Sequence, residues 1–189
     1  MLEIKRNDKH EYFINGVKKP SVTQILRGGG VINNAWFTPE SRERGSNVHT
    51  ICEYLDCGTL DEKSIYAGYS GYIEAYRDFL KTCNPQWELI ENKVYNAEYD
   101  YCGTLDRYGY LFNGEQWLID IKSGSESRAT EMQLSAYLKA LGGDIKKCNL
   151  GALHLRKNGK WKLIPCQLHT GWAGFMEAYK IYSINERGF

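Results

Sequence analysis

Apolar residues change their spacing several times along the chain, and each change marks an element. Residues 1–20 alternate weakly around Asn15-Gly16, a dipeptide suited to the left-handed positions of a tight turn, so a small hairpin is expected there. Ser21 and Gln24 in "SVTQIL" stand at capping-box spacing and start a short helix. In "TPESRERGSNVHTICEYLDCG" Thr38 reads as N-cap, Pro39 as the first helical residue and Gly58 as the stop, with Val48, Ile51, Cys52 and Leu55 as the buried stripe. Tyr69, Tyr72, Ile73, Tyr76, Phe79 and Leu80 give a second helical stripe over about Ile65–Lys81.

The spacing then shortens to that of strands. "WELIENKVYN" alternates, and "YCGTLDRYGYLFNGEQWLIDIKSG" alternates, turns at Asn113-Gly114 and alternates again. "ATEMQLSAYLKALGG" returns to helical spacing and closes at Gly142. A hairpin through Asn158-Gly159 joins strands near 148–156 and 160–168, and "TGWAGFMEAYKIY" ends the chain with Trp172, Phe175, Tyr179 and Tyr182 on one stripe. The order is helices, three strands, helix, two strands, helix. It predicts an α/β fold with a central mixed β-sheet flanked by helices, formed by residues 1–189 as a single domain. Gly28-Gly29-Gly30 is too short to separate two domains.

Composition narrows the class only a little. The chain has 189 residues, 42% hydrophobic and 25% charged, which suits one ordinary water-soluble domain. A formal net charge of +1 means that contact with a polyanion must come from local patches. The six cysteines (52, 57, 83, 102, 148, 166) lack metal-site spacing, and no basic-then-apolar leader follows Met1, so free thiols in a cytoplasm, bacterial or that of a phage-infected host, are expected.

Charge inside the long hairpin changes the picture most. Asp120 and Lys122 leave one face of their strand, and Asp106 lies on the other arm. A two-residue turn at Asn113-Gly114 would aim Asp106 away from Asp120. A three-residue closure, Phe112-Asn113-Gly114, pairs Leu111 with Glu115 and sets Asp106 opposite Asp120. The second register, or a bulge with the same effect, is required if the three charges act together. Two facing carboxylates are hard-oxygen ligands for Mg²⁺ or Mn²⁺, and a neighbouring lysine can orient water or steady developing negative charge. The same triplet also fits a plain surface ion pair.

Around these charges stand Gly103 to Asp106 (G-x-x-D), Asp120 to Lys122 (D-x-K) and Gln133 to Tyr137 (Q-x-x-x-Y), preceded by "KKPSVTQIL", "RGSNVH" and Glu91 in "IENKVYN". This ordered set resembles the PD-(D/E)XK nuclease superfamily, in its RecB-like and phage-exonuclease branch, over about residues 20–140. The resemblance implies a restriction-endonuclease-like core and metal-dependent hydrolysis of phosphodiester bonds. It implies Asp106 and Asp120 as metal ligands, helped by the Ile121 carbonyl, with His49 as a ligand or near-ligand. Lys122 would be the catalytic lysine, and Glu91 would hold a water or a second ion. Gln133 and Tyr137 would touch the scissile strand or support the carboxylates. Leu105 stands where the superfamily name has proline. Cys148 and Cys166 lack the triplet spacing of iron–sulfur relatives, so no cluster is expected.

For substrate contacts the sequence offers Arg44 and Arg128 near the motifs, with Arg42, and Arg156 and Lys157 in a basic hairpin with Lys160 and Lys162, just after Lys146 and Lys147. Trp36, Phe37 and Tyr108 are stacking candidates, although packing serves them equally well. The expected function is a DNA exonuclease of phage replication or recombination, acting on single- or double-stranded DNA with little sequence preference. A recombination or single-strand-binding protein is a conceivable partner; a membrane is not. Alternatives are an endonuclease, an inactive nucleic-acid-binding module of the same fold, and, more distantly, a zinc hydrolase built on His49 and Glu53.

Overall fold

Asn15 and Gly16 are both left-handed (φ 48° and 82°), and the hairpin expected around them forms. Its strands are β2 (Tyr12–Ile14) and β3 (Val17–Lys19); β1 (Ile4–Arg6) adds antiparallel to β2 and makes a three-stranded sheet. The computed structural model describes residues 3–33, 35, 38–111, 114–142 and 147–187, the last by its backbone.

Local sequence sets most helix ends. At α1 (Val22–Gly28) the capping box is complete: Ser21 Oγ accepts the Gln24 N–H at 3.1 Å and Gln24 Oε1 accepts the Ser21 N–H at 2.8 Å. Thr38 caps α2 (Pro39–Asp56), and Gly58 turns the chain away at φ 66°. The stripe over 65–81 predicts an earlier helix than forms. Residues 67–69 make a 3₁₀ turn, and α3 begins afterwards (Ser70–Cys83). Gly68 and Gly71 weaken helical preference there, and Gly71 packs so tightly under the Lys157 carbonyl that a Cβ would lie 1.8 Å from its oxygen.

The remaining elements are β4 (Gln86–Asn96), β5 (Tyr101–Tyr110), β6 (Gln116–Lys122), α4 (Arg128–Leu141), β7 (Cys148–Leu155), β8 (Trp161–Cys166) and α5 (Leu168–Arg187). They form an α/β arrangement around a mixed five-stranded sheet, β4-β5-β6-β7-β8, antiparallel except for the parallel β6–β7 pair. That parallel pair needs a crossover, which α4 provides. Alternation along the strands feeds two apolar layers. Leu118 and Leu150 pack with Leu134 of α4, Phe175 of α5 and Ile25 of α1. Ile119, Ile121, Leu153 and Leu155 pack on the other face with Val48 and Cys52 of α2 and Tyr76 and Phe79 of α3.

The β5–β6 register decides where the hairpin charges go. Tyr110 pairs with Gln116 and Arg107 with Ile119, and the Leu111 N–H reaches the Glu115 carbonyl at 3.0 Å. This is the register of a three-residue closure, with left-handed Gly114 (φ 75°) as its last residue; Phe112 and Asn113 lie outside the described residues. Asp106 is therefore level with Asp120. Gly103, three residues earlier, makes room for the Tyr137 ring, because a Cβ there would come within 2.3 Å of it. The G-x-x-D and Q-x-x-x-Y spacings thus meet in one packing contact. Gly103→Ala is expected to cost about 1–3 kcal/mol in urea denaturation through overpacking, and clearly less in a Tyr137→Ala background. Equal costs in both backgrounds would contradict the contact.

Candidate metal centre

Beyond Arg107–Ile119 the regular pairing of β5 with β6 stops. Asp106 Oδ2 instead accepts the Ile121 N–H at 2.7 Å, so a side chain fills the place of a ladder bond. His49 projects from α2 beside its buried stripe. Its Nε2 bonds the Ile121 carbonyl at 2.7 Å, while Nδ1 lies 3.5 Å from Asp106 Oδ2 and 3.8 Å from Glu91 Oε1. Donor atoms of His49, Glu91 and Asp106 all fall within 4.8 Å of one another, a group with the spacing of metal ligands. A carbonyl that takes one imidazole N–H leaves the other ring nitrogen oriented for a cation.

Glu91 is held in an unusual backbone. It sits in the middle of β4, between the Ile90–Arg107 and Asn92–Leu105 pairs, with φ 45°. A non-glycine residue there stores roughly 1–3 kcal/mol of strain and persists only if its surroundings fix it. Arg107 is one such constraint. Its side chain is fully buried; Nη1 donates to Glu91 Oε1 at 3.1 Å and to the Asp106 carbonyl at 2.8 Å, and Nε donates to Asp56 Oδ2 at 2.6 Å. Asp56, at the end of α2, also accepts the Tyr76 hydroxyl and the Trp87 indole N–H, at 2.8 Å and 3.2 Å. One buried guanidinium therefore links the helix that carries His49 to the strands that carry Glu91 and Asp106.

Lys122 and Asp120 form the adjoining half of the site. Lys122 Nζ lies 2.6 Å from Asp120 Oδ2, a close ion pair whose carboxylate is buried. Lys122 also reaches Gln133 Oε1 at 3.4 Å, and Gln133 Nε2 donates to the Tyr137 hydroxyl at 2.8 Å. Gln133 is thus oriented at both ends of its amide.

Electrostatics here favour positive charge. Burial alone would drive the His49 imidazole toward neutrality, but Asp106, Glu91 and Asp120 outweigh it and push its pKa up to about 9. Burial likewise opposes the Lys122 ammonium, and Asp120 and Asp106 overcome it and raise its pKa. The Asp120 carboxyl is pushed up by burial, against Lys122 and with help from Asp106. Two carboxylates and one imidazole make a donor set that could hold a divalent metal ion.

The chain matches no family model and no curated protein.

Of the residues named from sequence, His49, Glu91 and Asp106 come together as donors, with Ile121 bonded to His49 through its carbonyl. Asp120, expected as a metal ligand, lies outside that close group because Lys122 holds it. Glu53 also lies outside it, and the carboxylates that approach His49 come from strands β4 and β5. Arg44 lines the cleft beside Lys122 and Gln133, and its buried Nε has no hydrogen-bond partner among the described residues. Arg128 instead faces a separate depression between α4, β8 and α5. Arg156 and Lys157 lie at the β7–β8 turn, lining neither cleft that contains His49. Tyr108 is half-buried against the apolar core. Trp36, Phe37 and Lys146 lie outside the described residues.

Asp56, Arg107, Tyr76 and Trp87 were missed as a group. A signal existed: Asp56 falls four residues after buried Cys52, on the apolar side of α2, and Arg107 interrupts a strand of largely buried residues. Asp56→Ala leaves the Arg107 guanidinium buried with half its counter-charge gone, and is expected to cost about 3–5 kcal/mol in chemical denaturation. A loss under about 1 kcal/mol would show that the pair is not desolvated.

Proposed function

We propose that the protein is a divalent-metal-dependent DNA nuclease with a PD-(D/E)XK, restriction-endonuclease-like core, acting as an exonuclease. The observation that carries this reading is the meeting of His49, Glu91 and Asp106 donors beside a lysine tethered at Asp120 and Gln133. The choice of DNA, and of exonuclease over endonuclease, rests on the resemblance of the ordered motifs. A binding module without chemistry has no use for all these groups.

His49, Glu91 and Asp106 would hold Mg²⁺ or Mn²⁺, and Asp120 lies beside them, paired with Lys122. When bound, such an ion supplies Lewis-acid charge to the phosphate and lowers the pKa of water. Lys122 is kept as an ammonium by Asp120 and Asp106, so its part is electrostatic: it offers charge where the phosphate becomes more negative. Gln133 holds that ammonium from the far side, and Tyr137 orients Gln133. Ile121 fixes the His49 ring through its carbonyl. Arg107 acts through Glu91 and does not touch the reacting atoms, which makes it a positioning residue.

The test is digestion of end-labelled linear DNA with Mg²⁺ or Mn²⁺, with closed circular DNA alongside. The wild type is expected to shorten linear DNA and spare the circle. Lys122→Ala is expected to lower kcat by roughly 10²–10³-fold, the order found when one preorganised electrostatic group is removed. No degradation by the wild type, or undiminished degradation by Lys122→Ala, would overturn the catalytic assignment.

A further inference from the structure

We propose that the cleft between the N-terminal sheet and β5 is a phosphate track, along which a nucleic-acid strand reaches the donor group, with Arg6, Lys9 and Arg27 as its cationic wall. The nature of this polyanion rests on the nuclease reading above. Arg6, Lys9 and Arg27 line this cleft together with Glu91, Asp106 and His49. The basic wall comes from the segment before residue 30, most of it outside the motifs that point to the metal centre.

Charge pairing separates these residues from their neighbours. Lys5, Lys18 and Lys19 belong to the same N-terminal segment, and each is paired with a carboxylate: Glu3 at 3.1 Å, Glu11 at 2.5 Å and Asp100 at 2.7 Å. None of these three lines the cleft. Arg6, Lys9 and Arg27 do line it, are exposed, and make no ion pair among the described residues. Within this N-terminal segment the cations that line the cleft are those without a carboxylate ion pair among the described residues, which leaves them open to an outside anion. Phosphates of a strand are anions at regular spacing, and contacts with them need no base readout.

The wall is also built, not merely charged. Asn7 Oδ1 accepts the N–H groups of Lys9 and Glu11, at 3.1 Å and 2.9 Å, and fixes the turn that presents Lys9. His10 closes that turn in a left-handed conformation (φ 59°) and touches the Arg6 guanidinium through Nδ1. Arg6 lies over the Tyr12 ring, 5.9 Å from its centre. Tyr12 in turn bonds Thr104 Oγ1 at 2.7 Å, two residues before Asp106. The arm is therefore tied to the strand that bears the central carboxylate. His49 also lines a second cleft, which contains Arg44, Lys122 and Gln133. A strand crossing the donor group would meet positive charge before and after it.

The experiment measures binding apart from cleavage. A fluorescently labelled single-stranded oligonucleotide is titrated with the protein in Ca²⁺, by anisotropy, over a range of salt. The triple variant Arg6→Glu/Lys9→Glu/Arg27→Glu is expected to bind at least tenfold more weakly. Its plot of log affinity against log salt should be shallower by about 2, near 0.7 for each phosphate no longer neutralised. The neutral triple Arg6→Gln/Lys9→Gln/Arg27→Gln should show the same change of slope, and it serves if charge reversal impairs folding. Lys5→Glu/Lys18→Glu changes paired lysines away from the cleft and should bind within twofold of wild type. If wild type binds and both triple variants keep its affinity and slope, the track is overturned while the nuclease reading stands. If wild type binds through the track but cuts nothing with Mn²⁺, the track stands and the catalytic reading falls. A wild type that binds no oligonucleotide overturns the track, and digestion of linear DNA decides the nuclease reading separately.

Discussion

A single buried guanidinium holds the candidate centre together. Arg107 reaches Asp56 on α2, Glu91 on β4 and the carbonyl of Asp106 on its own strand. Removing such charges from water costs several kcal/mol per ion, and good geometry with further hydrogen bonds is needed to offset it. Tyr76 and Trp87 supply those bonds at Asp56. The helix bearing His49 and the strained residue Glu91 are thus referred to one fixed point. Without it, little would hold Glu91 at a positive φ in mid-strand.

A division of labour follows across the sheet. On the α2–α3 side Asp56 is met by Arg107 Nε and by two aromatic donors, Tyr76 and Trp87. On the sheet near His49, carboxylates gather: Glu91, Asp106 and Asp120 converge, and His49 and Lys122 respond with raised pKa values. The first arrangement ties α2 to the strands. The second concentrates negative charge around two cationic side chains.

Much of this was legible in the residues. Caps and turns marked themselves, because Ser21 with Gln24, Thr38 with Pro39, and Asn15-Gly16 act through local hydrogen bonds and local φ values. The β5–β6 register was deducible too, since only one closure sets Asp106 level with Asp120. The start of α3 was not, because it depends on the Gly71 contact with Lys157, which is distant in sequence. The Asp120–Lys122 pairing was open as a plain ion pair, and choosing between partners needs distances that spacing alone does not provide. The Arg107 network and the N-terminal cationic wall join residues from several elements, so no window of sequence contains either of them.

The most direct measurement is anomalous scattering from crystals soaked in Mn²⁺. The account predicts a peak in contact with His49, Glu91 and Asp106, abolished in crystals of Asp106→Asn. A peak absent from that position, or present only at unrelated surface carboxylates, would contradict it.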